Sequence, residues 1–102
     1  MGMIDTKITV LNPVDPKKFF SGKFLVDTGS KFTVVPETVW KKLQLKKEWR
    51  QDFSMANGQT VTRNIGNAMV KYAGRTAYSP VVLGEKNDQF LLGAVTLENL
   101  GL

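Results

Sequence analysis

Phe24-Leu25-Val26-Asp27-Thr28-Gly29-Ser30 is the stretch on which the reading of this chain turns. Three apolar residues run into a carboxylate. A carboxylate at the end of an apolar strand is costly unless it is hydrogen-bonded, paired or reached by water. Gly29 lets the backbone approach that carboxylate and turn sharply. Thr28 offers a hydroxyl and a backbone N–H, and Ser30 a second hydroxyl. By themselves the last four residues also describe a strand-ending turn, because Asp, Thr, Gly and Ser all favour turns. The surrounding sequence decides between the two.

Upstream, Ile4, Thr6, Ile8 and Val10 alternate with Asp5, Lys7, Thr9 and Leu11, the period of two that marks a strand. Asn12-Pro13 and Asp15-Pro16 form a turn region leading to a second strand, Ser21 to Val26. Downstream, Phe32 to Val35 reads as a short strand. Pro36 suits the first turn of a helix and Glu37 its positive end. Val39, Trp40 and Leu43 give that short helix, residues 37–44, an apolar stripe. Phe53 to Ala56 and Gln59 to Thr62 flank Asn57-Gly58, which predicts a hairpin with a tight type I′ turn and rather polar arms. Gly66 interrupts the pattern. Ala68 to Tyr72 and Thr76 to Leu83 form a strand pair around Ala73-Gly74, and residues 84–89 form a solvated loop. Phe90-Leu91-Leu92 is an apolar strand ending at Gly93. Residues 95–100 form a second short helix, closed by Gly101. The strand–glycine–helix order around Gly93 faintly echoes the order around Gly29.

The chain has 102 residues, with 14 Lys+Arg against 9 Asp+Glu and a net charge of +5. That length suits one domain, since domains most often have about 100–150 residues. There is no histidine and no cysteine. Ser-His-Asp triads, Cys-His dyads, His/Cys zinc sites and disulfides are therefore excluded. No group of convergent oxygens suggests a magnesium site, so no metal and no cofactor are expected. The start, MGMIDTKITV, has neither a basic region nor a long apolar one. No apolar run approaches the roughly 20 residues of a membrane span. A cytoplasmic protein without membrane contact is the expectation. The excess positive charge lies in residues 1–50, densest at Lys41, Lys42, Lys46, Lys47 and Arg50. A nucleic-acid surface would need these on one face with stacking groups beside them. A solvated helix face is the simpler reading, with Trp40 in the core.

In their order and spacing, the Asp-Thr-Gly-Ser stretch, the hairpin at Asn57-Gly58 and the Leu-Gly before the last helix resemble the retroviral-type, retropepsin-like aspartic proteases. The resemblance covers residues 4–102 and looks closest to prokaryotic, single-domain members, bacterial and archaeal. It implies an all-β fold: a closed acid-protease barrel with a flap hairpin and two short helices, equivalent to half of a bilobal pepsin-like enzyme. It makes Asp27 the catalytic aspartate. Thr28 would lock the active loops of two chains together, and Gly29 would help hold the carboxylates coplanar. Ser30 and the flap residues Met55, Ala56, Asn57, Gly58 and Gln59 would bind substrate. Leu92 and Gly93 would support the active loop from behind. Many members continue into a further strand, so the ending at Gly101-Leu102 leaves three readings open: a C-terminally truncated domain, a dimer held by different surfaces, or a weak or missing dimer.

One Asp-Thr-Gly per chain is half of what the chemistry needs. Two aspartates a few ångströms apart cannot both ionise, so they share a proton and act as one dyad. A symmetric homodimer would supply the second Asp27 at its two-fold axis. The expected function is thus an aspartic endopeptidase acting on peptides or proteins with activated water. A catalytically silent peptide-binding or dimerisation module of the same fold is the alternative, and a nucleic-acid-binding β-barrel a more remote one.

Overall fold

The computed structural model describes residues 4–102. The elements follow as β1 (Ile4–Leu11), β2 (Phe19–Val26), β3 (Thr33–Val35), α1 (Glu37–Lys42), β4 (Trp49–Ser54), β5 (Thr60–Tyr72), β6 (Arg75–Leu83), β7 (Leu91–Leu92) and α2 (Ala94–Asn99). The strands form one sheet in the order β1-β2-β7-β3-β6-β5-β4.

One expectation about the sheet, its closure, is corrected, and its strand directions are now defined. It is mixed: β7 runs parallel to β2, and β3 parallel to β6, while the remaining pairs are antiparallel. The seven-stranded sheet also does not close into the expected barrel. β5, with 13 residues, serves two neighbours on one edge. Its first half pairs with β4, and Met69 to Lys71 in its second half meet Leu11 to Thr9 of β1. This three-residue contact folds the sheet back on itself locally, and β4 stays outside it as a free outer strand.

The strand alternation places the core. Ile8 and Val10 of β1 point inward with Phe24, Val35, Val70, Val81 and Leu92, all essentially inaccessible to water. Leu43, Val39, Leu45 and Leu100 close the same cluster from the helical side. Helix α1 begins at Glu37 as expected, with Pro36 as its extended N-cap rather than in its first turn, and ends at Lys42, two residues earlier than expected. Lys41 and Lys42 lie in its last turn, where positive charge complements the helix end. The Asn12 side-chain amide donates to the carbonyl of Leu43 at 2.8 Å, tying the first loop to the end of α1. Trp40 packs on the core, and its indole N–H reaches the Gly84 carbonyl at 2.7 Å. Lys41, Lys42, Lys46, Lys47 and Arg50 are all exposed. No described helix is long and apolar enough to cross a membrane.

The tight type I′ turn is not at Asn57-Gly58. There only Gly58 takes a positive φ, 87°. Its N–H donates to Met55 at 2.9 Å, and Met55 N–H donates to Gln59 at 2.7 Å, which is the pattern of a three-residue loop ending in a left-handed glycine. The Asn57 side chain accepts from Gln59 N–H at 3.0 Å and holds the asparagine within that loop. The type I′ geometry occurs instead at Ala73-Gly74, with φ of 52° and 76° between paired Tyr72 and Arg75. Gly66 does not break a strand either. It lies inside β5 because the carbonyl of Lys46 passes only 2.5 Å from where a Cβ would sit.

Left-handed backbone is unfavourable for alanine and tolerated by asparagine. Ala73→Asn should therefore raise the unfolding free energy in urea by about 0.5–1 kcal/mol. A loss of stability would contradict the turn described here.

Candidate active site

Asp27 follows directly on β2 and is half-buried. Its N–H donates to the carbonyl of Leu92 at 3.0 Å, and Leu25 N–H donates to Phe90 at 2.8 Å. The two echoing segments of the sequence thus run side by side, Leu25 opposite Leu91 and Val26 opposite Leu92. The chain then turns: the Asp27 carbonyl accepts from Ser30 N–H at 3.1 Å, and carboxylate Oδ1 accepts from Gly29 N–H at 3.0 Å. The other carboxylate oxygen and the hydroxyl of the exposed Thr28 have no partner among the described residues. Ser30 turns its hydroxyl to the carbonyl of Phe32 at 2.9 Å.

The second half of the loop is held by α2. The first N–H groups of a helix have no partner within it. Here Ala94 N–H donates to the carbonyl of Ser30 at 2.8 Å and Val95 N–H to that of Lys31 at 3.0 Å. This docking requires Gly93, because a Cβ there would collide with the carbonyl of Phe32 and lie 2.8 Å from the Thr33 nitrogen. Leu92, fully buried, anchors the same segment in the core.

Beneath the loop lies a chain of buried hydroxyls that sequence reasoning missed. Gly93 N–H donates to Thr33 Oγ1 at 3.0 Å. Thr33 and Thr96 hydroxyls are 2.6 Å apart, those of Thr96 and Ser79 2.8 Å, and Ser79 donates to the Pro80 carbonyl at 3.0 Å. One proton order satisfies every member: each hydroxyl donates onward from Thr33 to Thr96 to Ser79. The signal was available at Ser79, which shares the inward face of β6 with Ala77 and Val81.

A cleft of about 330 Å³ opens beside Ser30. The active loop supplies Lys31 and Phe32, the β4–β5 hairpin Phe53, Met55, Val61 and Arg63, and the loop before β7 Asp88 and Gln89. Val34, Val82 and Leu91 complete its apolar lining. The Phe32 and Phe53 rings meet edge to face with centroids 6.0 Å apart. Of the hairpin residues singled out from sequence, only Met55 reaches this cleft. Ala56, Asn57, Gly58 and Gln59 are exposed at the hairpin tip. Asp27 does not line the cleft, which begins three residues further on. Among the described residues no cluster of acidic side chains could hold a metal ion.

Residues 20–99 match the family model described as "gag-polyprotein putative aspartyl protease". The chain belongs to this retropepsin-like aspartic protease family. Among solved structures, the protease of EIAV in complex with the inhibitor HBY-793 shares the fold. The two align with a TM-score of 0.66 and 17% identity, over 98% of this chain and 89% of that one. Comparison with curated protein sequences finds no match.

Gly93→Ala should cost at least about 2 kcal/mol, because the loop backbone cannot make room without moving. Thr96→Val keeps the volume but leaves two buried hydroxyls short of a partner, and should cost about 1–3 kcal/mol in urea unfolding. Thr96→Ser, which keeps the hydroxyl, should cost less than Thr96→Val.

Proposed function

We propose that this retropepsin-like protein is an aspartic endopeptidase that works as a homodimer, with Asp27 of each chain forming the catalytic dyad. The observation that carries the reading is the state of the loop. Gly29 N–H holds one carboxylate oxygen of Asp27, the other is uncommitted, and Thr28 and Gly29 are exposed beside it. A second copy meeting this tip across a two-fold axis would bring like residues together. Thr28, whose hydroxyl is free, would bond to the partner loop. Gly29 N–H would keep the two carboxyl groups in plane.

In that dyad one carboxyl is protonated and one ionised. The ionised member takes a proton from water as the water attacks the peptide carbonyl. The protonated member donates to the carbonyl oxygen, and a proton is then delivered to the leaving amine. No covalent intermediate and no cofactor is involved. The hairpin tip, Met55 to Gln59, would close over the substrate and exclude water. Substrate backbone would pair as an added strand with the hairpin and with the loop around Gly29 and Ser30. Leu92 and Gly93 act only through the loop they support. Ser30 and the residues from Leu92-Gly93-Ala94 through Leu97-Glu98 to Leu100-Gly101-Leu102 support a kinship with the prokaryotic single-domain members.

Because the dyad works with one proton, cleavage should rise and fall across the acid range, with a bell-shaped profile belonging to the pair. Asp27→Asn should lower cleavage of an unstructured protein by roughly a thousandfold or more. Its circular dichroism and thermal unfolding should stay close to wild type, since an amide oxygen can still accept from Gly29 N–H. Activity retained in Asp27→Asn, or a verified dimer that cleaves nothing across the acid range, would overturn the proposal.

A further inference from the structure

The apolar cleft carries one uncommitted charge. Three charged side chains line it: Lys31, Arg63 and Asp88. Arg63 is engaged, its guanidinium 2.9 Å from the carboxylate of Glu85. Asp88 is turned into its own loop, where Oδ2 accepts from Glu85 N–H at 2.7 Å. The ammonium of Lys31 makes no ion pair and no hydrogen bond among the described residues. It lies 5.4 Å from the centroid of the Phe32 ring, over the aromatic wall of the cleft. Its root is rigid, because the Lys31 carbonyl is fixed by Val95 N–H of α2. A cation thus stands at a set place beside a hydrophobic recess formed by Phe32, Val34, Phe53, Val61, Val82 and Leu91.

We infer that Lys31 is a specificity-determining residue, selecting peptides that place an acidic side chain next to the apolar one filling this cleft. The inference rests on the endopeptidase reading for its substrate class. The apolar recess supplies the area, since hydrophobic side chains gain from leaving water. The ammonium supplies the discrimination. It attracts a neighbouring Glu or Asp and repels Lys or Arg, and complementary charge acts on selectivity more than on raw affinity. Standing on an aromatic face, the ammonium already gains from the ring, so an incoming carboxylate meets a cation held in place.

The test uses sets of fluorogenic peptides that differ only in carrying Glu, Gln or Lys at one position flanking an invariant Leu or Phe. They are assayed with wild type, Lys31→Met and Lys31→Glu at about pH 6, where Glu is ionised. Wild type should favour Glu over Lys by roughly three- to tenfold in kcat/KM, a span suited to an exposed charge pair. The preference should shrink in high salt, vanish in Lys31→Met and reverse in Lys31→Glu. Lys31 is exposed, so these variants should fold as wild type does. The same peptides are also titrated onto Asp27→Asn chains with and without Lys31→Glu. This binding arm separates the two readings. A Glu preference that depends on Lys31 in binding, without turnover in wild type, would sink the protease reading and keep the inference. Turnover or binding with the same Glu-over-Lys ratio in wild type and Lys31→Glu would overturn the inference and leave the protease reading intact. Binding of no peptide by any form would overturn it as well.

Discussion

The contact of Gly93 with the backbone of Phe32 and Thr33 is the constraint on which the rest of the site depends. Only a residue without Cβ lets the end of β7 come so close. Once there, the next two amides, Ala94 and Val95, are aimed at the carbonyls of Ser30 and Lys31. These are helix N-terminal donors that would otherwise face water or remain unpaired. Gly93's own N–H starts the buried hydroxyl chain through Thr33, Thr96 and Ser79. The loop after β2 is therefore fixed from behind by backbone, and its tip is free to present Asp27, Thr28 and Gly29. A loop held this way can carry a carboxylate oxygen and a threonine hydroxyl that have no partner among the described residues without losing its shape.

Much of this was legible from particular residues. The alternation of Ile8 and Val10, the apolar Phe24-Leu25-Val26 and the stripe of Val39, Trp40 and Leu43 placed strands and helices within a few residues of where they lie. The echo between Gly29 and Gly93 was visible as pattern, though only the pairing of Leu25 with Leu91 shows it as neighbouring parallel strands. Turn chemistry misled at Asn57-Gly58, because loop length and the Gln59 contact chose a three-residue loop over a two-residue one. At Ala73-Gly74 the pairing of Tyr72 with Arg75 forces left-handed backbone on an alanine that local preference would not choose. Gly66 looked like a break because a close approach of a distant carbonyl leaves no local trace in sequence. The closed barrel failed for a similar reason. Which strands a long β5 shares its edges with is a tertiary fact, and β4 takes half of one edge. The hydroxyls of Thr33, Ser79 and Thr96 are too common a residue type to stand out until the fold brings them together.

The cleft and the loop divide the work at this surface. The loop carries the group proposed to do the chemistry, and the cleft begins beyond it at Ser30 with an apolar lining and, among the described residues, one cation without a partner. Family membership rests on residues 20–99, a span that includes the loop, the hairpin and the distal glycine. The particular charges at the cleft belong to this chain. Of the basic residues concentrated in the first half, Lys31 alone sits both at the cleft and on the loop. Lys41, Lys42, Lys46, Lys47 and Arg50 lie outside the cleft lining, and the positive charge in that cluster reads as solvated surface.

The central claim is that one chain supplies half an active site and that cleavage needs two intact Asp27 carboxyls. Subunit mixing tests it most directly. Wild type and Asp27→Asn chains are combined at fixed total concentration, allowed to exchange, and assayed for cleavage. Mixed dimers would hold one carboxyl and be inactive, so activity should follow the square of the wild-type fraction, leaving about a quarter at an equal mixture. A linear decline, with about half the activity remaining at an equal mixture, would show that each chain works alone and would contradict the account.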